Sequence, residues 1–556
     1  TAMGMDMGTV MSAEGVRFPA GYERHRGGCN MSSSVRCLLV AGMAMGSLSL
    51  PVAAQSVSAP DGVGASTATG DVGPAAAPKQ GWRVTSGISV SETFTNNGNV
   101  SSQNRRSDQI TEVTPGIAVS GESGRLKGRF DYQLHELIHA QEAQRNETQQ
   151  SLNANGTLEA VEKWLFLEAS GLITQQSISA FGTQSANNSS ANANRTETSA
   201  YQVSPYTRGK FGSFADYELR YRRSTSRSKS DLAADVDSED WLLNLNGAVS
   251  QANLTWLIES TWQSTEFRGQ RATDADRLRA YLSYQPDMQL KLSLIGGSES
   301  NNYLTTDKKR KTTTGYGFEW APSERTKLAG QKESRFFGEG HSLSFTHRMP
   351  LTAISYVDTR DVTALPNQLG FANRGNLYDV LDQSLLSSIP DPVARDLAVR
   401  KVLQDNGWPP NAIVINPFLA SQVSVERLQT LSMVMSGVRN VITLALTQSQ
   451  RQALTSTVGL GDDFAISSTV KQRGFNANWS YRVSGYSALN LTLSQQNAIS
   501  PTRSDLDTRQ RNLNLGLTTR FGNKTTGSLT LRRALFDSAT NPYTENALIA
   551  AVSIQF

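Results

Sequence analysis

The final nine residues set the strongest constraint on the fold. Leu548, Ala550, Val552, Ile554 and Phe556 are apolar at every second position, and the last is aromatic. Successive strand side chains point to opposite faces, so five apolar groups line one face of a terminal strand. Either the core of a soluble β-sandwich or lipid must cover that face.

The rest of the chain decides for lipid. From Trp82 onward, period two dominates: Leu278, Ala280, Leu282 and Tyr284 interleave with Arg277, Arg279 and Ser283, and Leu290, Leu292 and Leu294 with Lys291 and Ser293. Leu489, Leu491 and Leu493 alternate with Asn490 and Thr492, and Leu513, Leu515 and Leu517 with Asn512, Asn514 and Thr518. A hydrophobic fraction of 38% and a mean hydropathy of -0.38 would ordinarily mean a soluble protein. A membrane barrel escapes that test, because only alternate residues meet lipid.

The connections fix the strand count. Short turns fall near Ser123-Gly124, Glu162-Lys163, Gly212-Ser213, Ser250-Gln251, Pro286-Asp287, Pro322-Ser323, Met349-Pro350, Gly437-Val438, Ser484-Gly485 and Gly522-Asn523. Between them lie mostly long polar stretches, with one short exception near Gly338 to Gly340. Outer-membrane barrels have short periplasmic turns and longer extracellular loops, and ten turns with eleven links give about 22 strands with both ends in the periplasm. The expected fold is a single transmembrane antiparallel up-and-down β-barrel over residues 82–556. Trp82, Trp164, Phe211, Tyr284, Trp320, Tyr486, Phe521 and Phe556 then form a periplasmic aromatic belt.

The amino-terminal part agrees on compartment. Residues 31–54 read as a secretory signal, with Arg36 before an apolar run from Cys37 to Leu50 and a small-residue cleavage site at Val52-Ala53-Ala54. Residues 1–30 then read as an upstream extension from a misplaced start. Residues 55–81, rich in Ala, Ser, Gly, Thr and Pro, form a flexible periplasmic leader. Cleavage removes Cys29 and Cys37, leaving no disulfide or thiolate chemistry, and takes the formal charge from +4 to +3. So small an excess points to no nucleic-acid partner.

One segment breaks the strand rhythm. Leu377, Leu381 and Leu385 share a helical face, and a second helix runs from Pro392 to Asp405, with Asp391 as N-cap and Gly407 at the exit. Residues 375–410 are therefore expected as a small helical insertion in an extracellular loop, folded inward as a partial plug or outward as a cap.

His135-Glu136-Leu137-Ile138-His139 fits H-E-x-x-H, which on a helix places two histidines one turn apart for zinc. Its flanks alternate instead, and residues four apart in a strand stand about 13 Å apart, too far to share one metal. No phosphate loop, nucleophile triad or carboxylate pair stands out, so no enzyme, metal or cofactor is expected.

Polar positions between the apolar ones face the lumen in this reading. Arg125, Lys127, Arg129, Arg220, Arg222, Arg277, Arg279, Lys291, Arg509 and Arg511 would form a basic wall favouring anions or acidic polysaccharide. Asp131, Glu168, Asp216, Glu218 and Glu259 share it, and cross-strand ion pairs between the two sets are the simpler expectation.

Certain runs also resemble a family. Glu162-Lys-Trp-Leu-Phe-Leu-Glu-Ala-Ser-Gly171, Gln175-Gln-Ser-Ile-Ser-Ala-Phe-Gly182 and Arg335-Phe-Phe-Gly338 resemble the PEP-CTERM system-associated outer-membrane proteins of Gram-negative bacteria, as does the insertion with Ile389-Pro-Asp-Pro392 and Asn406-Gly407. The resemblance implies a setting of exosortase sorting and exopolysaccharide production, and no catalytic residue. The terminal alternation ending in Phe556 likewise resembles the signal read by the barrel-assembly machinery. Outer-membrane lipid and lipopolysaccharide, exopolysaccharide and periplasmic export components are the further expected partners. Three roles follow: an exopolysaccharide export barrel or general porin, a non-conducting barrel that organises surface polymers, and a TonB-dependent importer. The importer is disfavoured, because only 27 residues separate Gln55 from Trp82, too few for its folded plug.

Overall fold

The computed structural model describes residues 81–556, except 142, 250–252, 364–398, 400–417, 421 and 455–461. Twenty-two antiparallel strands follow one another around a single sheet. They are β1 (Gly81–Thr95), β2 (Asp108–Ser123), β3 (Leu126–His139), β4 (Glu147–Val161), β5 (Leu165–Ser177), β6 (Arg195–Phe211), β7 (Ala215–Ser228) and β8 (Val236–Val249). Next come β9 (Leu254–Phe267), β10 (Thr273–Tyr284), β11 (Leu290–Asn301), β12 (Lys309–Ser323), β13 (Thr326–Arg335), β14 (Gly338–Arg348) and β15 (Thr352–Thr363). The ring continues through β16 (Ser424–Ser436), β17 (Asn440–Ala453), β18 (Thr469–Arg482), β19 (Ser487–Ile499), β20 (Thr508–Arg520), β21 (Thr525–Asp537) and β22 (Tyr543–Gln555).

The terminal alternation closes the ring. β22 pairs with β1, placing Val552 opposite Val90 and Ile554 opposite Ile88, so no sheet edge is left unpaired. Leu548, Val552, Ile554 and Phe556 remain exposed, as do Leu278, Leu282, Leu292, Leu294, Leu515 and Leu517 on other strands. A closed antiparallel barrel with an outward apolar band is a membrane barrel of the outer-membrane class. Nine of the ten short turns occur at or beside the positions the sequence gives, on one rim, with Gly124 and Gly212 supplying positive φ in two of them; Ser250-Gln251 lies outside the described residues. Every member of the aromatic belt is exposed, from Trp82 to Phe556, as rings at a lipid–water boundary should be.

The short link before Gly338 is a two-residue turn, Phe336-Phe337, where Gly338 takes a φ of 104°. The expected signal, upstream extension and leader lie outside the described residues apart from Gly81, which opens β1 instead of ending the leader, as does the helical insertion 375–410 apart from Val399. Among the described residues, helix is found at Val399, inside the expected second helix of the insertion, and in single turns at Ala143–Arg145, Asp463–Ile466 and Ser504–Leu506.

Candidate lumenal conduit and its extracellular closure

Residue parity decides which side chains enter the lumen. On β7, Leu219 is exposed outward, so Asp216, Glu218, Arg220 and Arg222 face inward. Arg220 donates to Glu168 and, at 3.0 Å, to Glu218, while its guanidinium lies 4.0 Å from the Tyr206 ring. Tyr206 stacks on Phe166 at 4.9 Å, and Arg208 caps that ring at 4.3 Å. Arg222 meets Asp240 at 3.4 Å.

Further round the ring the pairing becomes a network. Arg279 binds Glu259 and, at 3.0 Å, Glu333; Arg277 approaches Glu259 at 3.6 Å and Asp361 at 3.9 Å. Arg335 joins Glu299 at 2.8 Å and Asp361 at 3.0 Å. Arg129 pairs with Asp131 at 3.2 Å, and Lys127 with Glu122 at 2.6 Å. Lys291 lines a recess of about 220 Å³ with Tyr281, Ser293 and Gln331. Most of the expected basic wall is therefore neutralised side chain by side chain, which removes its preference for anions.

Three of the expected lumen residues lie elsewhere. Arg509 and Arg511 share their face with Leu513, Leu515 and Leu517, so they point outward at the extracellular end of β20, where Arg511 pairs with Asp537 at 2.7 Å. Polarity alone assigned them inward; the parity of the neighbouring leucines overrides it. Arg125 sits in the turn between β2 and β3, 3.9 Å from Glu162 on the periplasmic rim.

The inner face of β18 to β20 was not singled out from the sequence. Gln472, Asn476, Asn478 and Ser480 on β18, Asn490, Thr492, Ser494 and Gln496 on β19, and Gln510, Asn512, Asn514 and Thr518 on β20 face inward opposite the exposed leucines. They are neutral amides and hydroxyls. Thr492 donates to Asn478 at 2.8 Å and Asn512 to Ser494 at 3.3 Å, while Asn490 Oδ1 and Asn512 Oδ1 have no partner among the described residues. The available signal was the Asn/Gln run on alternate positions of three consecutive strands.

The extracellular mouth is occupied by loops. Residues 178–194, between β5 and β6, reach over the mouth to inner-wall residues of β20 and β22: Thr508 donates to the Ala180 carbonyl at 3.4 Å, and Tyr543 donates to that of Gln184. Ala180 packs with Phe418, Phe464, Val470 and Ala498, drawing together three loops and two strands. Two further apolar clusters, around Val100, Phe536 and Tyr543 and around Val236, Phe267, Tyr303 and Val423, fill the same end.

Asp463 fastens this crossing. Its carboxylate accepts from Ser179 Oγ and, at 2.7 Å, from the Ala180 amide. Burial pushes its pKa up to about 6, against the opposing pull of those hydrogen bonds. Within the loop, Asn194 Nδ2 donates to the Ser179 and Thr183 carbonyls at 2.9 and 3.1 Å, and it lies so close to Gly182 that a Cβ there would collide with it. The Gln175 to Gly182 run noted in the sequence thus leads into the crossing segment.

The H-E-x-x-H residues lie on β3, as their alternation requires. His135 contacts Glu112 and His139 contacts Asp108, each at 2.7 Å through Nδ1, while Glu136 faces outward and accepts from Thr148 at 2.6 Å. Among the described residues no group of three or more His, Cys, Asp or Glu side chains is placed to hold a metal.

No protein-family model matches the chain, and no curated protein does. Among solved structures it is similar to a ferric enterobactin receptor of Pseudomonas aeruginosa, 11% identical over 86% of this chain and 81% of that one, with a TM-score of 0.44. A siderophore receptor of Acinetobacter baumannii is 8% identical over 85% and 80%, at 0.42, and an iron transporter of Neisseria meningitidis is 10% identical over 85% and 82%, at 0.36. At these values the likeness carries no reading of ligand or partner.

Proposed function

We propose that this outer-membrane barrel is an exit conduit for an exopolysaccharide, shut at the cell surface by its own loops. One observation carries the reading: a polar inner wall runs up to a crossing segment fastened by loop-to-loop hydrogen bonds, chiefly those of Asp463. Such contacts release without unfolding the sheet, because a typical one contributes only about 1 kcal/mol net. A wall of amides and hydroxyls exchanges hydrogen bonds with a polyhydroxylated chain as water does, so a sugar polymer slides without strong trapping. The resemblance to PEP-CTERM system-associated proteins supplies the exosortase setting. In this reading the barrel-assembly machinery inserts the protein and periplasmic export components deliver the polymer.

Single-channel recording in planar bilayers tests the proposal. The intact barrel is expected to be mostly silent, and a variant lacking residues 181–193 to conduct steadily, with current blocked by added exopolysaccharide. Silence in both proteins would instead favour a barrel that organises surface polymer without conducting, a role consistent with the three apolar clusters in the mouth.

A further inference from the structure

A second site lies on the outer face of the barrel. On β15 to β17 the outward pairs Tyr356 with Leu431, and Leu431 with Leu446, belong to the apolar band. One step toward the extracellular end stand Asp358 with Gln429, then Arg360 with Arg427 and Arg427 with Gln450. A cavity of about 330 Å³ opens at this boundary, lined by Glu339, His341, Arg360, Val425, Arg427, Gln450 and Gln452. Its height places it among the headgroups of the outer leaflet, so its occupant is a membrane component.

The charges select the ligand. Asp358 accepts from Arg427 at 3.1 and 2.7 Å, from Gln429 at 3.0 Å and contacts His341 at 3.1 Å, holding the Arg427 guanidinium at the cavity edge. Lys332 occupies the Glu339 carboxylate at 2.9 Å. Arg360 is held by neutral groups: it donates to the Glu339 carbonyl and lies 5.3 Å from the Phe337 ring. Among the described residues no carboxylate forms an ion pair with Arg360; the Glu339 carboxylate, paired with Lys332, acts on it only at longer range, and the amides of Gln450 and Gln452 line the same cavity. Along the same rim Arg310, Arg473, Arg509, Arg511 and Arg533 also face outward from their strands, joined there by the carboxylate of Asp537.

We propose that this cavity binds a phosphate of the phosphorylated glycolipid of the outer leaflet. Arg360 and Arg427 grip the phosphate oxygens, the glutamine amides complete the shell, and the acyl chains lie down over Tyr356, Leu431 and Leu446. The planar guanidinium fork suits phosphate, and a boundary between apolar wall and cationic cavity suits an anionic amphiphile.

Native mass spectrometry of the full barrel in detergent tests this with diphosphorylated lipid A, dephosphorylated lipid A and inorganic phosphate. The intact protein is expected to retain the diphosphorylated lipid, and Arg360→Gln with Arg427→Gln to weaken retention about tenfold, the loss of one or two charge-assisted contacts. Heat-modifiable gel migration checks that the variant folds; the single changes Arg360→Gln and Gln450→Leu, which leave Asp358 paired, give the same readout in reduced form. Equal retention by the variants would overturn the proposal, as would equal retention of the dephosphorylated lipid. Displacement by equimolar inorganic phosphate would mark a site for the free ion and overturn it too.

Discussion

The inner wall from β7 to β15 and the inner wall from β18 to β20 differ in kind. The first is built from arginines and carboxylates locked in a network, with Arg279 between Glu259 and Glu333 and Arg335 between Glu299 and Asp361. The second is built from neutral amides and hydroxyls, and both arcs keep side-chain polar atoms with no partner among the described residues, such as Arg277 Nε in the first and Asn490 Oδ1 in the second. A paired charge has its field spent on its partner, so the charged arc stiffens the wall and offers little to a passing solute. The neutral arc presents hydrogen-bonding groups without a charge to what enters the lumen. A count of basic residues would have overstated the field of the first arc.

The largest effect is expected where a pair is broken in the charged arc. Arg279→Ala leaves Glu333, which is 4% exposed, with the Gln331 amide as donor but without its ion-pair partner, and should lower stability by about 3 kcal/mol, read from urea unfolding in lipid vesicles. A change below about 1 kcal/mol would show that lumenal water screens the network and that the two arcs are alike.

The latch follows, with a sign set by protonation. The Asp463 pKa of about 6 in the closed loop lies above 3.8, its ordinary value, so closed protein holds a proton that open protein releases. The stabilisation is complete below about pH 4 and is lost as pH rises through about 6, on the order of 3 kcal/mol in all. Open probability should rise between about pH 4 and 6 in the intact barrel, as ~1.4 kcal/mol per tenfold allows. Asp463→Asn, which keeps an acceptor and cannot titrate, should flatten that rise; an unchanged pH profile would remove Asp463 from the gate.

In the neutral arc, Asn490→Leu with Asn512→Leu should weaken polymer block of the loop-deleted barrel several-fold while moving stability by less than about 1 kcal/mol. Unaltered block would return recognition to the charged arc. The smallest effect belongs to Arg511→Ala: its pair with Asp537 is half exposed on the outer face, so about 0.5 kcal/mol or less is expected and no change in conductance. A conductance change would contradict its outward placement.

What could be read from the residues follows from range. Strand number, turn positions and the closing strand were legible, because alternation and turn chemistry act between residues one to four apart. Facing was legible wherever leucines marked the outward parity; Arg509 and Arg511 were misplaced because their charge was weighed before the parity of Leu513. His135 and His139 were read correctly as strand residues for the same local reason.

The rest needed the closed ring. Sequence by itself determined that the chain makes an antiparallel barrel of about 22 strands with one face for lipid, since a two-residue period leaves no other way to cover the apolar face and satisfy the backbone in a membrane. Only the tertiary structure decided which charges cancel, and that residues 178–194 cross the extracellular mouth. Ser179 meets Asp463 across a separation of 284 residues, and no local pattern encodes a contact that exists only once the sheet has curved round to bring the two loops together.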